Sequence, residues 1–375
     1  MRSLAPMIAL LPVWTTVVAS DSWTLSGSYK NLLVRSRTAQ PMGERYVQDL
    51  SRLRLGVRGR PFRDLAIDLQ YDNEVLLGNY LSTRQFQLQR ELPPPTYWKL
   101  QQTYADGVDA FARHRLHRAS VTWSTGNVDL RLGRQRVAWG TGRFFSAVDA
   151  LNPFDPTSIE PGERPGVDAL LAEWRPGSLA RLSAVLAPSW GPGTGGRVLR
   201  WHANEADADY SVLVGHLADR PTLGVDLATQ VGGTGLRAEW VVVRIAHRSR
   251  TRLLFGIDHA FTDQFSLTAE VFHDEAAARD TDRYDFDALF AGRLPTLGRR
   301  HVGVRLRYEI TPLLQSDADL IVNASDGSRF AALSFTWSLT TNLEGKLGAR
   351  SFKGQPTSEY GVQHDAAFAQ LQWYF

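Results

Sequence analysis

The chain of 375 residues lacks cysteine altogether and has only three methionines and four lysines, against thirty-eight arginines. Without cysteine it can have no disulfide framework, no thiolate metal site and no cysteine nucleophile. Such a chain suits export to an oxidising compartment, because it cannot form wrong disulfide pairs there. The arginines are scattered and lie near acidic residues, so no concentrated basic block predicts nucleic-acid binding.

Long apolar runs are also missing. Beyond residue 20 no run approaches the ~20 apolar residues that a membrane-spanning helix requires, which excludes helical spans. Membrane strands remain compatible with the 43% hydrophobic content and the mean hydropathy of -0.24, because only alternate residues of such strands face lipid. Eleven Trp, eleven Tyr and seventeen Phe fit the aromatic girdles of a membrane barrel, and they also fit a soluble core.

The N-terminal segment has the composition of a secretory signal. Arg2 precedes an apolar stretch from Leu4 to Val18, and small residues follow it. This order predicts a signal peptide over residues 1–20 that is cleaved after Ser20. Two prolines within the stretch argue against the alternative, a buried N-terminal helix.

From about Trp23 onward, apolar and polar residues alternate with a period of two, which is typical of strands with one apolar and one polar face. The pattern predicts eighteen strands, near residues 22–34, 50–59, 63–73, 113–123, 127–137, 167–175, 178–187, 196–204, 208–216, 221–230, 234–245, 251–260, 264–273, 300–311, 315–324, 329–339, 342–352 and 366–375. Several of these segments are weak, so sixteen strands is the alternative count.

The connections between these segments alternate strictly between short turns and longer loops. The longer set falls at residues 35–49, 74–112, 138–166, 188–195, 217–220, 246–250, 274–299, 325–328 and 353–365. Every connection of more than about ten residues belongs to this set, as in bacterial barrels with short periplasmic turns and long extracellular loops. A soluble sandwich gives no reason for such segregation.

The last ten residues alternate in the same way and end in Phe375. They resemble the terminal strand of outer-membrane proteins, whose final aromatic residue is part of the signal that the barrel assembly machinery reads. A soluble edge strand with exposed Trp373 and Phe375 would be an aggregation hazard, and a closed barrel removes that edge. We therefore expect the final strand to pair with the strand that begins near Trp23.

These features predict an all-β fold, a transmembrane antiparallel up-and-down β-barrel of 16–18 strands with eighteen as the best estimate. Residues 21–375 would form this single domain, with both termini in the periplasm. The expected location is the bacterial outer membrane, where the partners are outer-membrane lipids and the barrel assembly machinery. The sequence leaves open whether the barrel is a homotrimer or a monomer.

The most distinctive segment covers residues 130–156. It contains a Gly-Arg-Gln, Trp-Gly, Asp and Asn-Pro-x-Asp pattern at Gly133, Arg134, Gln135, Trp139, Gly140, Asp149, Asn152, Pro153 and Asp155. The segment resembles porin-like and alginate-export-like outer-membrane barrels. This resemblance implies a barrel of that class and does not specify the solute.

The same segment leads into the third long connection, 138–166. In porins the third loop folds into the lumen and narrows it, and mixed rings of charge select which ions or sugars pass. We therefore predict that charged residues here line a constriction, namely Arg134, Arg136, Arg143, Asp149, Asp155, Glu160, Glu163 and Arg164. The alternative is that these residues pair with each other and only hold the shape of the loop.

Charged residues also occupy one face of several predicted strands. Because charge toward lipid costs ~2–4 kcal/mol for an Arg near the membrane midplane, these residues should face the lumen. The predicted lumen wall includes Arg52, Arg54, Arg58, Asp64, Asp68, Arg305, Arg307 and Glu309. A turn near residues 60–62 would place Arg58 opposite Asp64 and Arg54 opposite Asp68.

The sequence supports an enzymatic function less well than a channel. His247 and Ser249 have the His-x-Ser spacing of outer-membrane phospholipases, but the expected Asn-Gly is replaced by Arg250 and Thr251 in a predicted tight turn. No His pair has metal-ligand spacing with carboxylate support, and the Gly-Thr-Gly at 140–142 does not open a helix. The sequence therefore predicts no catalytic residue, no metal and no cofactor.

The function that these observations favour is a porin that passes small hydrophilic solutes, since a barrel of this size leaves an aqueous lumen. The alternative is a dedicated barrel that exports or anchors an exopolysaccharide or sheathes a periplasmic electron carrier. An outer-membrane lipid hydrolase is a third hypothesis.

Overall fold

A computed structural model describes residues 23–92, 94–149, 151–152, 155–164, 166–191, 193–290, 294 and 296–375. The predicted signal peptide, residues 1–20, lies outside the described residues, as does Pro153 of the distinctive segment. No helix in the described part of the chain is long and apolar enough to cross a membrane.

The described chain is built mainly from antiparallel strands. The strands of the first half are β1 Trp23–Arg37, β2 Arg45–Phe62, β3 Leu65–Leu77, β4 Gln101–Asp106, β5 Ala110–Thr125, β6 Val128–Gln135, β7 Val167–Gly177, β8 Ala180–Ala187, β9 Gly196–Glu205 and β10 Ala208–Leu217. The second half contains β11 Arg220–Val231, β12 Thr234–Ile245, β13 Arg248–Ala260, β14 Phe265–Asp274, β15 Arg300–Thr311, β16 Leu314–Asn323, β17 Arg329–Thr340, β18 Leu343–Lys353 and β19 Ala366–Tyr374. Two helices, α1 Arg84–Glu91 and α2 Phe286–Phe290, and two short 3₁₀ helices lie in the long connections.

Eighteen of these strands form a closed barrel in which each strand pairs with its neighbours in the chain and β19 pairs with β1. The remaining strand, β4, belongs to the connection between β3 and β5. It pairs with residues 111–115 of β5, whereas β6 pairs with residues 119–125 of the same strand. Thus β4 occupies the place beside β5 that the shorter β6 leaves unpaired.

Side chains alternate between the two surfaces of the wall, as the period of two requires. On β1, Leu25 and Leu33 are exposed on the outside, whereas Lys30 and Leu32 between them are buried toward the lumen. Closure gives every barrel strand a partner on both edges, so the backbone groups of the wall are satisfied without lipid or water.

The predicted fold class is confirmed, since the structure is a closed antiparallel barrel with a strand at each of the eighteen predicted positions. The sequence missed β4 and α1 inside the predicted loop 74–112. The predicted turn near residues 60–62 is wrong, because β2 continues to Phe62 and the turn lies at Arg63 and Asp64.

Closure occurs between β1 and the C-terminal strand, as expected. The amide of Gly27 donates to the carbonyl of Phe375 at 2.7 Å, and the amide of Phe375 donates to the carbonyl of Gly27 at 3.0 Å. The Phe375 ring lies over Gly27, where a Cβ atom would overlap it, and the ring also packs beside Trp373 with centroids 4.8 Å apart. The last residue therefore fills a place that a glycine on the first strand leaves open.

We predict that Gly27→Val weakens barrel closure by about 1–3 kcal/mol, because overpacking would push the Phe375 ring away from β1. The measurement is the denaturant midpoint of the refolded barrel. Gly177→Val is the matched control, since a Cβ at Gly177 meets nothing within 4 Å. Equal midpoints for the two variants would contradict the prediction.

Candidate functional site

The connection between β6 and β7 folds into the barrel; we call residues 136–166 the inner loop. Its tip packs Phe144, Phe145 and Val148 into an apolar cluster with inward-facing wall residues. Both phenylalanines are 1% exposed, and Phe145 stacks on Phe272 of β14 with ring centroids 5.3 Å apart. Burial of these aromatic groups fixes the loop against β9 to β18.

Glu239 of β12 holds the backbone of the tip. One of its carboxylate oxygens accepts from the amides of Thr141 at 2.5 Å and Gly142 at 3.0 Å, and from the Thr141 hydroxyl. The other accepts from the amides of Ala147 at 2.6 Å and Val148 at 3.1 Å, and from the Ser146 hydroxyl. A single buried side chain thereby satisfies loop donors that the lumen would otherwise leave unpaired.

Glu270 of β14 does the same for the intervening residues. Its carboxylate accepts from the amides of Arg143 at 2.5 Å, Phe144 at 2.8 Å and Phe145 at 3.2 Å. Arg237 of β12 donates to Glu270 and also to the carbonyl of Thr141 at 2.8 Å. The two glutamates and this arginine form one anchor, which we call the carboxylate anchor.

The other end of the inner loop is anchored by opposite charges. Glu160 lies 2.6 Å from Lys30 of β1 and 3.2 Å from Arg52 of β2. Glu163 lies 2.9 Å from Arg54 of β2. Burial alone would raise the pKa of Glu163, but the attraction of Arg54, Arg52 and Lys30 outweighs it and lowers the pKa to about 2. This anchor therefore stays ionised at neutral pH.

The inner loop also contacts the wall before, between and after its two anchors. The Arg200 guanidinium of β9 lies over the Trp139 ring at 5.8 Å, and the Arg350 guanidinium of β18 donates to the carbonyl of Thr157. Arg118 of β5 donates to the carbonyl of Arg164 at 3.0 Å. The loop thus follows the inner wall from β6 past β9, β12, β14, β18 and β1 and back to β7, as a collar around the lumen.

Gly140 shows why the Trp-Gly pair of the distinctive segment suits this path. Its φ of +94° lies in a region that L side chains rarely adopt. A Cβ there would lie 2.8 Å from a carboxylate oxygen of Glu239 and would overlap the Ser146 hydroxyl. Only glycine lets the backbone approach the carboxylate anchor so closely.

Asp149 is a buried acid within the inner loop. It is 6% exposed and lies 2.8 Å from a guanidinium nitrogen of Arg164. Burial raises the pKa of Asp149 to about 8, and the attraction of Arg164 opposes this rise without cancelling it. The carboxyl therefore titrates near neutral pH, although a positive group is beside it.

The eight predicted constriction residues differ in their surroundings. Arg136, Arg143 and Asp155 are exposed on the inner loop. Glu160 and Glu163 are engaged in the ion pairs described above, and Asp149 and Arg164 contact each other. The remaining residue, Arg134, is 4% exposed and forms a bidentate pair with Asp168 of β7 at 2.8 and 3.0 Å.

Arg134 also donates to the carbonyls of Leu116 and Trp98, and the amide of Trp98 donates to Asp168 at 2.7 Å. Its guanidinium is therefore used to join β5, β7 and the connection that contains β4. Arg134 is therefore buried, whereas Arg136, Arg143 and Asp155 are exposed.

The predicted lumen wall is charged, but one register was wrong. Arg58 pairs with Asp68 at 2.9 Å and Arg54 with Asp72 at 2.6 Å, four positions from the expected partners. Asp64 lies in the turn, so it is not a wall residue. The reason is that β2 and β3 extend beyond the predicted turn at residues 60–62.

On the opposite wall, Arg305 pairs with Asp319 at 2.6 Å and Arg307 with Asp317 at 2.9 Å. Both arginines lie on the inward side of β15, and Glu309 follows them on the same side near the end of the strand. These pairs link β15 to β16 along the lumen.

The sequence did not identify Glu239, Glu270 or Arg237 as site residues. All three residues sit in ordinary alternating strands. The sequence shows only a glutamate between apolar residues at an inward-facing position. This pattern does not reveal that Glu239 would bind Thr141, a residue 98 positions earlier in the chain.

The hydrolase-like His-x-Ser sequence lies in a tight hairpin. Ala246 and His247 form the turn between β12 and β13 with φ of 47° and 65°, and Ser249 pairs across the hairpin with Arg244. Among the described residues no group of three or more His, Asp or Glu could hold a metal ion.

We predict that Glu239→Ala frees the tip of the inner loop, because four backbone amides lose their acceptor at ~1–3 kcal/mol each when they stay buried. In the cysteine-free background, Ala147→Cys reports this as faster reaction with a thiol reagent. Glu344→Gln, a lumen-wall glutamate of β18, is the matched control. Unchanged labelling in Glu239→Ala would show that Glu270 and the apolar cluster hold the tip without Glu239.

We predict that the inner loop is less stable at alkaline pH. The unfolded carboxyl of Asp149 ionises near 4, whereas its pKa in the barrel is about 8, so the folded state keeps a proton that the unfolded state has lost. The free energy of unfolding should fall by on the order of a few kcal/mol as pH rises through this window. Denaturant midpoints from pH 5 to 9 test this, and Asp149→Asn should remove the slope; a slope that persists in Asp149→Asn would refute the assignment.

The comparisons with known proteins agree with this architecture. The model of a family described as "Protein of unknown function (DUF1302)" matches residues 36–190, which is less than half of the chain and includes the inner loop. Comparison with curated proteins gives no match.

Solved structures resemble the whole barrel. OpdK of Pseudomonas aeruginosa, crystallised with vanillate, is 11% identical, with 95% of this chain and 99% of that chain covered and a TM-score of 0.60. OccK5 (OpdH) of the same organism is 8% identical, with 95% and 98% covered and a TM-score of 0.62. The outer-membrane protein OprD of that organism is 9% identical, with 94% and 93% covered and a TM-score of 0.56. The chain therefore has the fold of a porin-like outer-membrane β-barrel.

Proposed function

We propose that this chain is an outer-membrane channel that passes small hydrophilic solutes, and that the inner loop sets its narrowest part. The observation that carries the proposal is the anchoring of the inner loop inside the barrel at two separate places, Glu239 with Glu270 on one side and Glu160 with Glu163 on the other. A loop held in this way defines a fixed passage, whereas a loose loop would not.

Exposed charged residues on the inner loop and the wall support the proposal that the solutes are hydrophilic. Arg136, Arg143 and Asp155 are exposed on the inner loop, and Arg58 is 71% exposed on the wall. Groups of both signs along a lumen tune which ions or sugars pass. Vanillate, present in the OpdK crystal structure, is a ligand of that protein and a reasonable first test solute for this one.

The expected location and partners follow from the same fold. We infer insertion into the bacterial outer membrane with lipids around the wall, after export by a signal peptide at residues 1–20. Phe375 closes the barrel beside Gly27, which agrees with a role in recognition by the assembly machinery. The oligomeric state stays open between a homotrimer and a monomer.

The collar also bears on the alternatives. A barrel that sheathes a periplasmic electron carrier needs a free lumen, and the inner loop occupies part of it. Export of an exopolysaccharide needs a hydrophilic path and stays as the second candidate. The hairpin that contains His247 and Ser249 lies at the outer rim, so a hydrolase site there would be separate from the lumen.

The test is single-channel conductance of the full-length barrel in planar bilayers, with liposome swelling over sugars, amino acids and uronates. Deleting residues 143–160 removes most of the tip and Glu160 of the second anchor, so conductance should rise by about twofold or more as the lumen widens. Wild-type barrels without conductance would refute the channel, and unchanged conductance and selectivity after the deletion would refute the constriction.

A charge reversal on the inner loop tests whether ion selectivity depends on the inner loop or on the total charge of the barrel. Arg143→Glu should shift ion selectivity toward cations, because the side chain is exposed on the inner loop. Arg244→Glu is the matched control, since Arg244 is exposed on the outward-facing side of β12. Equal shifts in both variants would show that Arg143 does not line the passage.

A further inference from the structure

The outer surface of the barrel carries a groove at the end that bears the long connections. It crosses five neighbouring strands, β17, β18, β19, β1 and β2, and has a volume of about 1040 Å³. The first described residue, Trp23, and the last, Phe375, lie at the opposite end of the wall, so in a bacterial barrel with periplasmic termini the groove is on the extracellular half.

The floor of the groove is made from small outward-facing residues. Direct cross-strand partners form a row from Leu333 through Ala349 and Ala367 to Arg35 and Val47. Leu333 and Val47 are 46% and 42% exposed at the ends of this row. Two small side chains between larger ones leave a depression in a surface that faces the hydrocarbon of the membrane.

Three arginines surround one end of the groove. Arg35, Arg37 and Arg45 are exposed on the outward-facing sides of β1 and β2. Arg37 is the direct cross-strand partner of Arg45, an arrangement of like charges that destabilises a sheet. Within the described ranges of the chain, none of the three guanidinium groups has a carboxylate or hydrogen-bond partner.

The acidic residue of the groove is already engaged. The carboxylate of Asp365 accepts from Lys353 at 3.3 Å, from the amide of Phe352 at 2.9 Å and from the hydroxyl of Ser351 at 3.1 Å. It therefore does not neutralise the arginines. The groove combines an apolar floor with positive charge that has no protein counterpart.

We propose that this groove binds a phosphate-bearing lipid of the outer leaflet, with the phosphate between Arg35, Arg37 and Arg45 and an acyl chain over Ala349 and Ala367. Guanidinium groups bind phosphate oxygens in bidentate geometry, and a bound phosphate would turn the repulsion between Arg37 and Arg45 into attraction. The apolar floor favours a lipid over a free anion, because a free anion gains nothing from alanine side chains. The inference requires insertion in a membrane and is independent of which solute the lumen passes.

The test uses the full-length barrel in detergent and the lipid A of an outer membrane, a glycolipid that carries phosphate groups and acyl chains. The variant Arg35→Gln, Arg37→Gln, Arg45→Gln should bind lipid A more weakly by on the order of tenfold to a hundredfold, since each cation near a membrane surface contributes ~1 kcal/mol. The matched control is Arg197→Gln, Arg244→Gln, Arg300→Gln, which removes three outward-facing arginines elsewhere on the rim. It should change binding by less than about twofold.

Two further measurements separate the possible occupants. Ala349→Phe fills the floor without changing charge, so it should weaken lipid A binding and leave the arginines in place. Dephosphorylated lipid A should bind wild type as weakly as lipid A binds the triple variant. The proposal is overturned if the triple variant binds as wild type does, if both triple variants lose affinity equally, or if inorganic phosphate displaces lipid A at equal concentration, which would indicate a free-anion site.

Discussion

The inner part of this barrel depends on one constraint, which is that the backbone amides of a loop buried in the lumen need acceptors. Glu239 and Glu270 supply them from the wall, and together they accept from seven backbone amides between Thr141 and Val148. Arg237 holds Glu270 and the loop carbonyl of Thr141 at once. The apolar contacts of Phe144 and Phe145 then have a fixed backbone from which to pack.

The two anchors of the inner loop differ in their chemistry, so their stability depends on different conditions. The carboxylate anchor binds the loop mainly through neutral backbone donors, with Arg237 beside Glu270, so its geometry depends on the path of the loop. The anchor at Glu160 and Glu163 uses Lys30, Arg52 and Arg54, so it depends on charge. Salt screens exposed pairs far more than buried ones, and the half-buried position of this second anchor protects it.

The outer surface is constrained by the membrane, because few polar groups can face lipid without a large energetic cost. Most outward positions carry apolar residues such as Leu25 and Leu132, which are 71% and 56% exposed. In the described part of the chain, outward-facing arginines such as Arg35, Arg197, Arg244 and Arg300 lie near the ends of strands, where headgroups replace hydrocarbon. The cluster of Arg35, Arg37 and Arg45 is an extreme case of that rule, since it concentrates charge beside an apolar groove.

The sequence by itself determined the barrel. A period of two and the alternation of short and long connections are local properties, and they placed all eighteen wall strands. The position of one turn was predicted wrongly. The hairpin of β2 and β3 is longer than its turn residues indicated, so Arg58 pairs with Asp68 and Asp64 lies in the turn. β4 was missed because its pairing with β5 exists only where β6 ends early.

Only the tertiary structure decided how the site is built. The sequence located the inner loop and its charged residues, but it could not distinguish Arg134, sealed in a pair with Asp168, from Arg143, which is exposed. It gave no sign of Glu239 and Glu270, because their partners lie about 90 to 130 residues away in the chain. Alternation along a strand says which side a residue faces, whereas the groups that it meets there are set by closure of the barrel and the path of the loop.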